Sequence, residues 1–413
     1  MAEDNRPPQR PGTRPGIEGK RDSQGRFTER TIRMGGRLGD FTETRRYAYD
    51  AAGRLSRVTG DDGDQPGRLC ESYTYDQQGR RLADICPELR RGERRFTYGP
   101  GNRLLQAGGV QYGHDRAGFR NLKVEATKQG QDETRYEYEP SGLLLAVDLP
   151  ADGKGGRRID YAYDASGLRT EKRLTVKGES RVVEEFIWLD ALRLGAFHDG
   201  SQWWRLIYDP QGQNRSPRGL ESASGQRLLL LCDQVGTPVA LANIDANIVQ
   251  HMRYDSFGNL LEQRGDIVRL PLGFAGGLYD ADTGLTRFVW RDYDAATGRF
   301  TALDPLGAKG GDKDWYGYCV DDPVNRVDVC GLWSLFGADS GGARAEKSSS
   351  GDESGNKPYF CNWAKCDDNG TMQGDYKPIE GREGVPPFMF QLPLDPIVDA
   401  FYIPWKNGWF DKE

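Results

Sequence analysis

Histidine, long apolar runs and basic excess are all scarce in this chain, and each shortage removes a class of function. The 413 residues contain only three histidines, His114, His198 and His251. None falls in residues 333–413, which argues against His-dependent nuclease or protease chemistry there. No apolar run approaches the roughly 20 residues that a membrane helix needs. The most apolar part of the C-terminal region, Val385 to Trp405, is broken by Pro386, Pro387, Pro393, Pro396 and Pro404, so no membrane span is expected. A net charge of -6 gives no general attraction to nucleic acid. The N-terminal MAEDNRPPQRPGTRPG has no apolar h-region, so no Sec signal is expected. The seven cysteines are odd in number and scattered, which reads as mostly reduced thiols in a cytosolic chain. Cys361 and Cys366 have no second Cys or His pair nearby to complete a zinc site; a local disulfide or plain packing is the expectation. Neither a metal nor a cofactor is expected.

Glycine and tyrosine are plentiful instead, at 54 and 19 residues, as turns and aromatic strands require. Residues 1–37 are Arg-, Pro- and Gly-rich without periodicity, and a disordered arm is expected. From Arg46 an internal repeat takes over. RYAYDAAGRL recurs as ESYTYDQQGRRL from Glu71, RRFTYGPGNRLL from Arg94, VQYGHDRAGFRNL from Val110, TRYEYEPSGLLL from Thr134 and IDYAYDASGLR from Ile159. Tyr49, Tyr75, Tyr98, His114, Tyr138 and Tyr163 fall in register. Alternation places Tyr47 and Tyr49 on one face of a strand. Asp50 can fold back on the backbone to open a turn, and Gly53 supplies the positive φ that closes it. Each unit is then a β-hairpin that must stack on its neighbours to bury its face.

Between Gly276 and Leu332 the pattern changes. Two Tyr-Asp turns, from Tyr279 and from Tyr293, lead into two aspartates in matched frames, Asp304-Pro305-Leu306-Gly307 and Asp328-Val329-Cys330-Gly331-Leu332. Residues 340–357 are a Ser/Gly/Glu/Lys-rich spacer. A compact stretch follows whose carboxylates, Asp367, Asp368, Asp375, Glu380 and Glu383, are scattered as on a solvated face.

The repeated Tyr-Asp-x-x-Gly frame resembles the YD-repeat chains of the Rhs and insecticidal toxin-complex families. The resemblance continues through Asp233, Gly236, Thr237, Pro238 and Tyr254-Asp255-Ser256-Phe257-Gly258. It ends in an Rhs-associated core, carried by Tyr316-Gly317-Tyr318, Pro323-Val324-Asn325 and the segment to Leu332. It implies an all-β fold, with YD-repeat hairpins wound as a spiral sheet, a partial hollow shell closed by the core, and a small irregular C-terminal domain. The implied divisions are an arm (1–37), a shell segment (38–227), a core (228–332) and a variable C-terminal payload (333–413, with 333–357 as spacer). It also implies an intramolecular aspartyl-type protease. Asp304 and Asp328 would be the carboxylate pair, Arg291 the supporting cation, and Leu332–Trp333 the bond cut. An upstream shell chain or secretion-system component and an immunity protein would be partners. The chain would occupy a bacterial cytoplasm before export by a specialised, non-Sec route.

The residues themselves suit that chemistry. Two carboxylates held together share a proton and titrate as a pair, so one can activate water while the other protonates the leaving group. Arg291 would keep one of them charged. Gly331 would let the backbone approach closely. Two departures from the family pattern bear on this: Val329 replaces the usual Pro, and Asp321-Asp322 stands where Asn is common, expected to add negative charge close to the pair. Cys330 raises a rival cysteine-nucleophile reading that lacks a nearby histidine in sequence. A non-catalytic reading, in which both aspartates only cap turns of a β-repeat interaction protein with an uncleaved tail, is the alternative.

Overall fold

The computed structural model describes residues 16–35, 38–62, 65–128, 130–151, 155–209, 215–307 and 312–332, and the backbone of three two-residue strands beyond them. The local rule of the repeat is visible at Asp50. Its N–H donates to the Arg54 carbonyl (2.8 Å), and the Gly53 N–H donates to the Asp50 carbonyl (3.0 Å) at a φ of +83°. One carboxylate oxygen accepts the N–H groups of Ala52 and Arg54 (2.9 and 3.0 Å), and the other takes Arg54 Nε (2.7 Å). The turn is thus closed by the side chain that opens it.

The same arginine ties one unit to the next. Arg54 lies over the ring of Tyr75 at 4.5 Å, and the Tyr75 hydroxyl donates to the carbonyl of Leu55 (2.8 Å). Tyr49 relates in this way to Arg26 and the Phe27 carbonyl, Tyr98 to Arg80 and the Arg81 carbonyl, and Tyr208 to Arg193 and the Leu194 carbonyl. Trp188 takes the tyrosine's place once, donating Nε1 to the Arg169 carbonyl (2.8 Å). Cation–π contact and a half-buried hydroxyl–carbonyl bond therefore join neighbouring hairpins in chain order.

Twenty-two strands result, each antiparallel to the next, from β1 (Gly16–Arg21) to β22 (Leu260–Arg264). No pairing joins β1 to β22, so the sheet stays open. It curls enough for its two ends to meet through side chains. Ile32 and Met34 of β2 (Phe27–Met34) pack with Val239, Ala240, Ala242 and Ile248. Arg30 pairs with Asp233 (3.1 Å) and Arg253 with Glu43 (2.7 Å).

Two expectations are corrected here. Residues 16–34 form the β1–β2 hairpin rather than a disordered arm. Asp22-Ser23-Gln24-Gly25-Arg26 is a copy of the repeat turn, with Asp22 accepting the N–H groups of Gln24 and Arg26 (both 2.9 Å). Arg21 stands where the aromatic usually does, which hid it, and the basic side chains are absorbed in pairs such as Lys20–Glu29 (2.7 Å). The second correction concerns the boundary at 227/228. The sheet passes through it without a break in β19 (Arg227–Cys232), and the topology changes only after Arg264.

Beyond the spiral, β23 (Leu278–Asp280), β24 (Leu285–Phe288), β25 (Arg291–Asp294) and β26 (Arg299–Phe300) form a separate four-stranded sheet. It packs around Phe274, Phe288, Tyr293, Phe300 and Tyr318. Its polar groups meet buried partners from the repeats. Lys172 and Tyr161 bind Asp280 (2.7 and 2.5 Å), Arg120 binds Asp294 (2.6 Å), and Arg169 binds Asp292 (3.1 Å), which also takes Arg287 of the core sheet itself (2.6 Å). Buried charges are tolerated only when paired, so the repeat strands and the core are electrostatically matched. Cys70, Cys86, Cys232 and Cys319 are free thiols. Residues 1–15, Cys361 and the acidic residues of the C-terminal stretch lie outside the described residues.

Candidate functional site

Asp304 and Asp328 each open a turn built on the rule of the repeats. Asp304 accepts the Leu306 N–H on its carboxylate (2.7 Å) and the Gly307 N–H on its carbonyl (3.0 Å). Asp328 accepts the N–H groups of Gly331 (2.8 Å) and Leu332 (2.9 Å) on one carboxylate oxygen. Strand β27 (Arg326–Val327) pairs with β28 (Leu335–Phe336), Val327 opposite Leu335.

Arg291, the first residue of β25, joins the two turns. Its guanidinium lies over the Phe300 ring at 3.7 Å, a buried aromatic wall that fixes its plane. One terminal nitrogen reaches both carboxylates, Asp304 at 2.9 Å and Asp328 at 3.4 Å. The other donates to the Trp315 carbonyl (3.1 Å), and Nε donates to the carbonyl of Gly331. All three charged residues are buried, so these contacts act with little screening.

Burial drives the Asp304 carboxyl upward to about 6, Asp328 and Asp312 add to the rise, and Arg291 and the Leu306 N–H oppose it. A carboxyl in that range can hold and give up a proton near neutrality. Burial likewise raises Asp312, which shares the cleft.

Arg291, Asp304, Asp328 and Leu332 are therefore brought together in one cleft. Trp333, across the expected scissile bond, lies outside the described residues. Sequence reasoning missed Asp312, Asp314 and Trp315, which line the same cleft; no repeat or motif marks them, and they arrive there by tertiary folding. Asp322, expected to load charge onto the pair, engages Asn325 (2.7 Å) and stands 3.9 Å from Arg326. Asp312 is the extra acid that acts on Asp304. Val329 packs against the aromatic cluster of the core. Cys330 has its sulfur 3.8 Å from an Asp328 oxygen. The histidines are engaged elsewhere, His114 with Tyr316, His198 with Trp203 and His251 with Phe41. Among the described residues no cluster of metal-ligating side chains occurs, and no helix is long and apolar enough to cross a membrane.

Known proteins share this architecture. A family described as the Teneurin YD-shell matches residues 14–309. Teneurin-3 of Danio rerio is 30% identical over 318 residues, covering 74% of this chain and 11% of that protein. A probable deoxyribonuclease, RhsB, of Dickeya dadantii (strain 3937) is 28% identical over 321 residues, covering 70% of this chain and 21% of that protein. The chain thus spans about a tenth to a fifth of the length of these relatives. A solved structure of the Photorhabdus luminescens Tc holotoxin pore aligns at a TM-score of 0.50 and 14% identity, over 80% of this chain and 16% of that one. Repeat, spiral sheet and family match agree, and the chain belongs to the Teneurin YD-shell family, a YD-repeat protein related to the Rhs proteins.

Proposed function

We propose that the core cuts its own chain after Leu332, using Asp304 and Asp328 as an acid–base pair steadied by Arg291, and frees residues 333–413 as a small effector. One observation carries the reading: a single guanidinium reaches both carboxylates and, through Nε, the carbonyl next to Leu332. Asp328 acts as the base that takes a proton from water. The water oxygen bonds to the Leu332 carbonyl carbon, the bond to the Trp333 nitrogen breaks, and Asp304 delivers the proton to that nitrogen. The products are a Leu332 carboxylate and a new amine at Trp333. In the same reading the chain is made in a bacterial cytoplasm, leaves by a specialised route, and joins an upstream shell chain or secretion component. An immunity protein would hold the effector in check, in the setting of interbacterial competition.

Intact mass and N-terminal sequencing of the purified chain test the cut. A fragment beginning at Trp333 is expected, and Asp304→Asn or Asp328→Asn should slow its appearance by about 10²–10⁴-fold. Growth arrest on expression of residues 333–413 alone tests the effector. The backbone N–H groups that each aspartate accepts favour one rival, in which both are only turn caps of an uncut interaction protein. Unchanged cleavage in both variants would discard the pair, and an intact wild-type chain would leave the rival standing.

A further inference from the structure

The tip of the β24–β25 hairpin, Phe288-Val289-Trp290-Arg291, does more than carry Arg291. The Trp290 N–H donates to the Cys330 carbonyl (3.1 Å), and Arg291 Nε takes the Gly331 carbonyl. Two successive carbonyls ahead of Leu332 are thus held by the tip. Gly331 lies so close that a Cβ placed on it would stand 2.7 Å from the Phe288 carbonyl oxygen and 3.2 Å from the Arg291 nitrogen. Both obstacles are backbone, which cannot swing aside as a side chain can. The positive φ of Gly331 (+77°) is a separate demand on the same residue.

We infer that this hairpin tip is the recognition subsite of the cleavage segment, reading Cys330 to Leu332 through the backbone and admitting only glycine at 331. The inference rests on the proposed self-cleavage and names the specificity element of that reaction. The tip has the character of a built site. Val289 is a β-branched residue at a φ of +33°, a conformation that costs energy and persists only where the surroundings enforce it. Three contacts enforce it. Phe288 pairs with Arg291 to close the two-residue hairpin. The Phe288 ring stacks on Tyr318 at 5.7 Å. The Trp290 ring sits against a repeat turn, where a Cβ on Gly167 would be 3.5 Å from it.

The tip also distinguishes the two matched aspartate frames. Asp304-Pro305-Leu306-Gly307 has its own positive-φ glycine (+57°), yet the nearest atoms to a Cβ there belong to the Trp315 ring, not to the hairpin. Only the Asp328 frame docks its glycine on the β24–β25 backbone.

Asparagine separates close approach from backbone conformation, because it accepts positive φ but carries a Cβ. In the full chain, Gly331→Asn is expected to cut about a hundredfold more slowly, as a misplaced reacting segment does, and Gly331→Ala at least as slowly. Docking is read independently by amide hydrogen exchange at Trp290 in the uncut Asp304→Asn chain, where adding Gly331→Asn should speed exchange while the β13–β14 region, Arg157–Val176, stays protected. Wild-type cutting by Gly331→Asn or unchanged Trp290 exchange would each overturn the inference. An uncut wild-type chain would instead sink the cleavage reading, and the exchange comparison would still decide whether the tip binds the loop.

Discussion

The Asp50 and Asp76 turns of the repeats and the Asp304 turn of the core set the same residue, aspartate, at the head of a turn and give it opposite electrostatics. In the repeats, burial pushes Asp50 and Asp76 upward, but the following arginine and the turn N–H groups outweigh it and leave both carboxyls below their ordinary value. Asp22 is lowered chiefly by the Arg26 N–H. At three aspartates of the core, burial wins. It lifts Asp304 and Asp322 to about 6 and Asp321 to about 8, against the opposing pull of Arg291, Asn325 and Arg81 respectively. An exposed turn keeps its charge because water and an adjacent guanidinium share it; burial raises the carboxyl where it outweighs the cation, as at Asp304, and not where Arg120 holds Asp294 low. The carboxyl of one motif thus lies below its ordinary value at these repeat turns and above it at Asp304.

The sharpest way to break the seam between these regions is Asp292→Ala. Asp292 is 1% exposed and accepts from Arg169 of the repeats and Arg287 of the core. Removing it strands two buried guanidiniums, and a loss of about 3–5 kcal/mol in urea unfolding is expected. A truncated repeat core is next: Leu144→Ala, at a fully buried position, should cost about 2–5 kcal/mol.

Acidity separates the regions. Carboxyls lowered in the fold, such as Asp50 and Asp76, contribute stability that is present above their unfolded value near 3.9 and lost as pH falls below it. Those raised in the fold, Asp304, Asp321 and Asp322, act oppositely: the folded state binds more protons, so stability declines as pH rises from about 4 through 6 to 8. Hydrogen exchange should therefore show the core loosening toward alkaline pH while the repeat turns loosen toward acid. With Asp304 as proton donor, single-turnover cleavage should fall about tenfold for each pH unit above about 6; a rate flat from pH 6 to 9 would remove Asp304 from that role. The smallest effect belongs to the ladder. Tyr75→Phe removes one hydroxyl–carbonyl bond and should cost about 0.5–1.5 kcal/mol by thermal unfolding.

Much of this molecule was legible in its residues. The Tyr-Asp-x-x-Gly frame encodes turn and strand within about a dozen residues, and such local rules need no tertiary information. Copies that lack the tyrosine were harder to see. Arg21 before Asp22 and Trp188 before Leu189-Asp190 break the written pattern, yet both turns close as the others do, because the hydrogen bonds belong to the backbone and the aspartate rather than to the aromatic. Of the site, Arg291, Asp304, Asp328 and Leu332 were nameable from motif position, whereas Asp312 and the hairpin tip at Phe288–Trp290 were not.

By itself the sequence determined the hairpin unit, its repetition and the all-β class, since each follows from alternation, an aspartate that bonds its own turn and a residue that accepts positive φ. Tertiary structure alone decided how the ends of the open sheet meet, which aspartates keep a proton and which glycine docks on the β24–β25 tip. Those outcomes depend on desolvation and on contacts between residues far apart in the chain, such as Arg120 with Asp294 and Tyr49 with Asn325. Burial and long-range pairing are properties of the packed whole, and no local pattern of residues carries them.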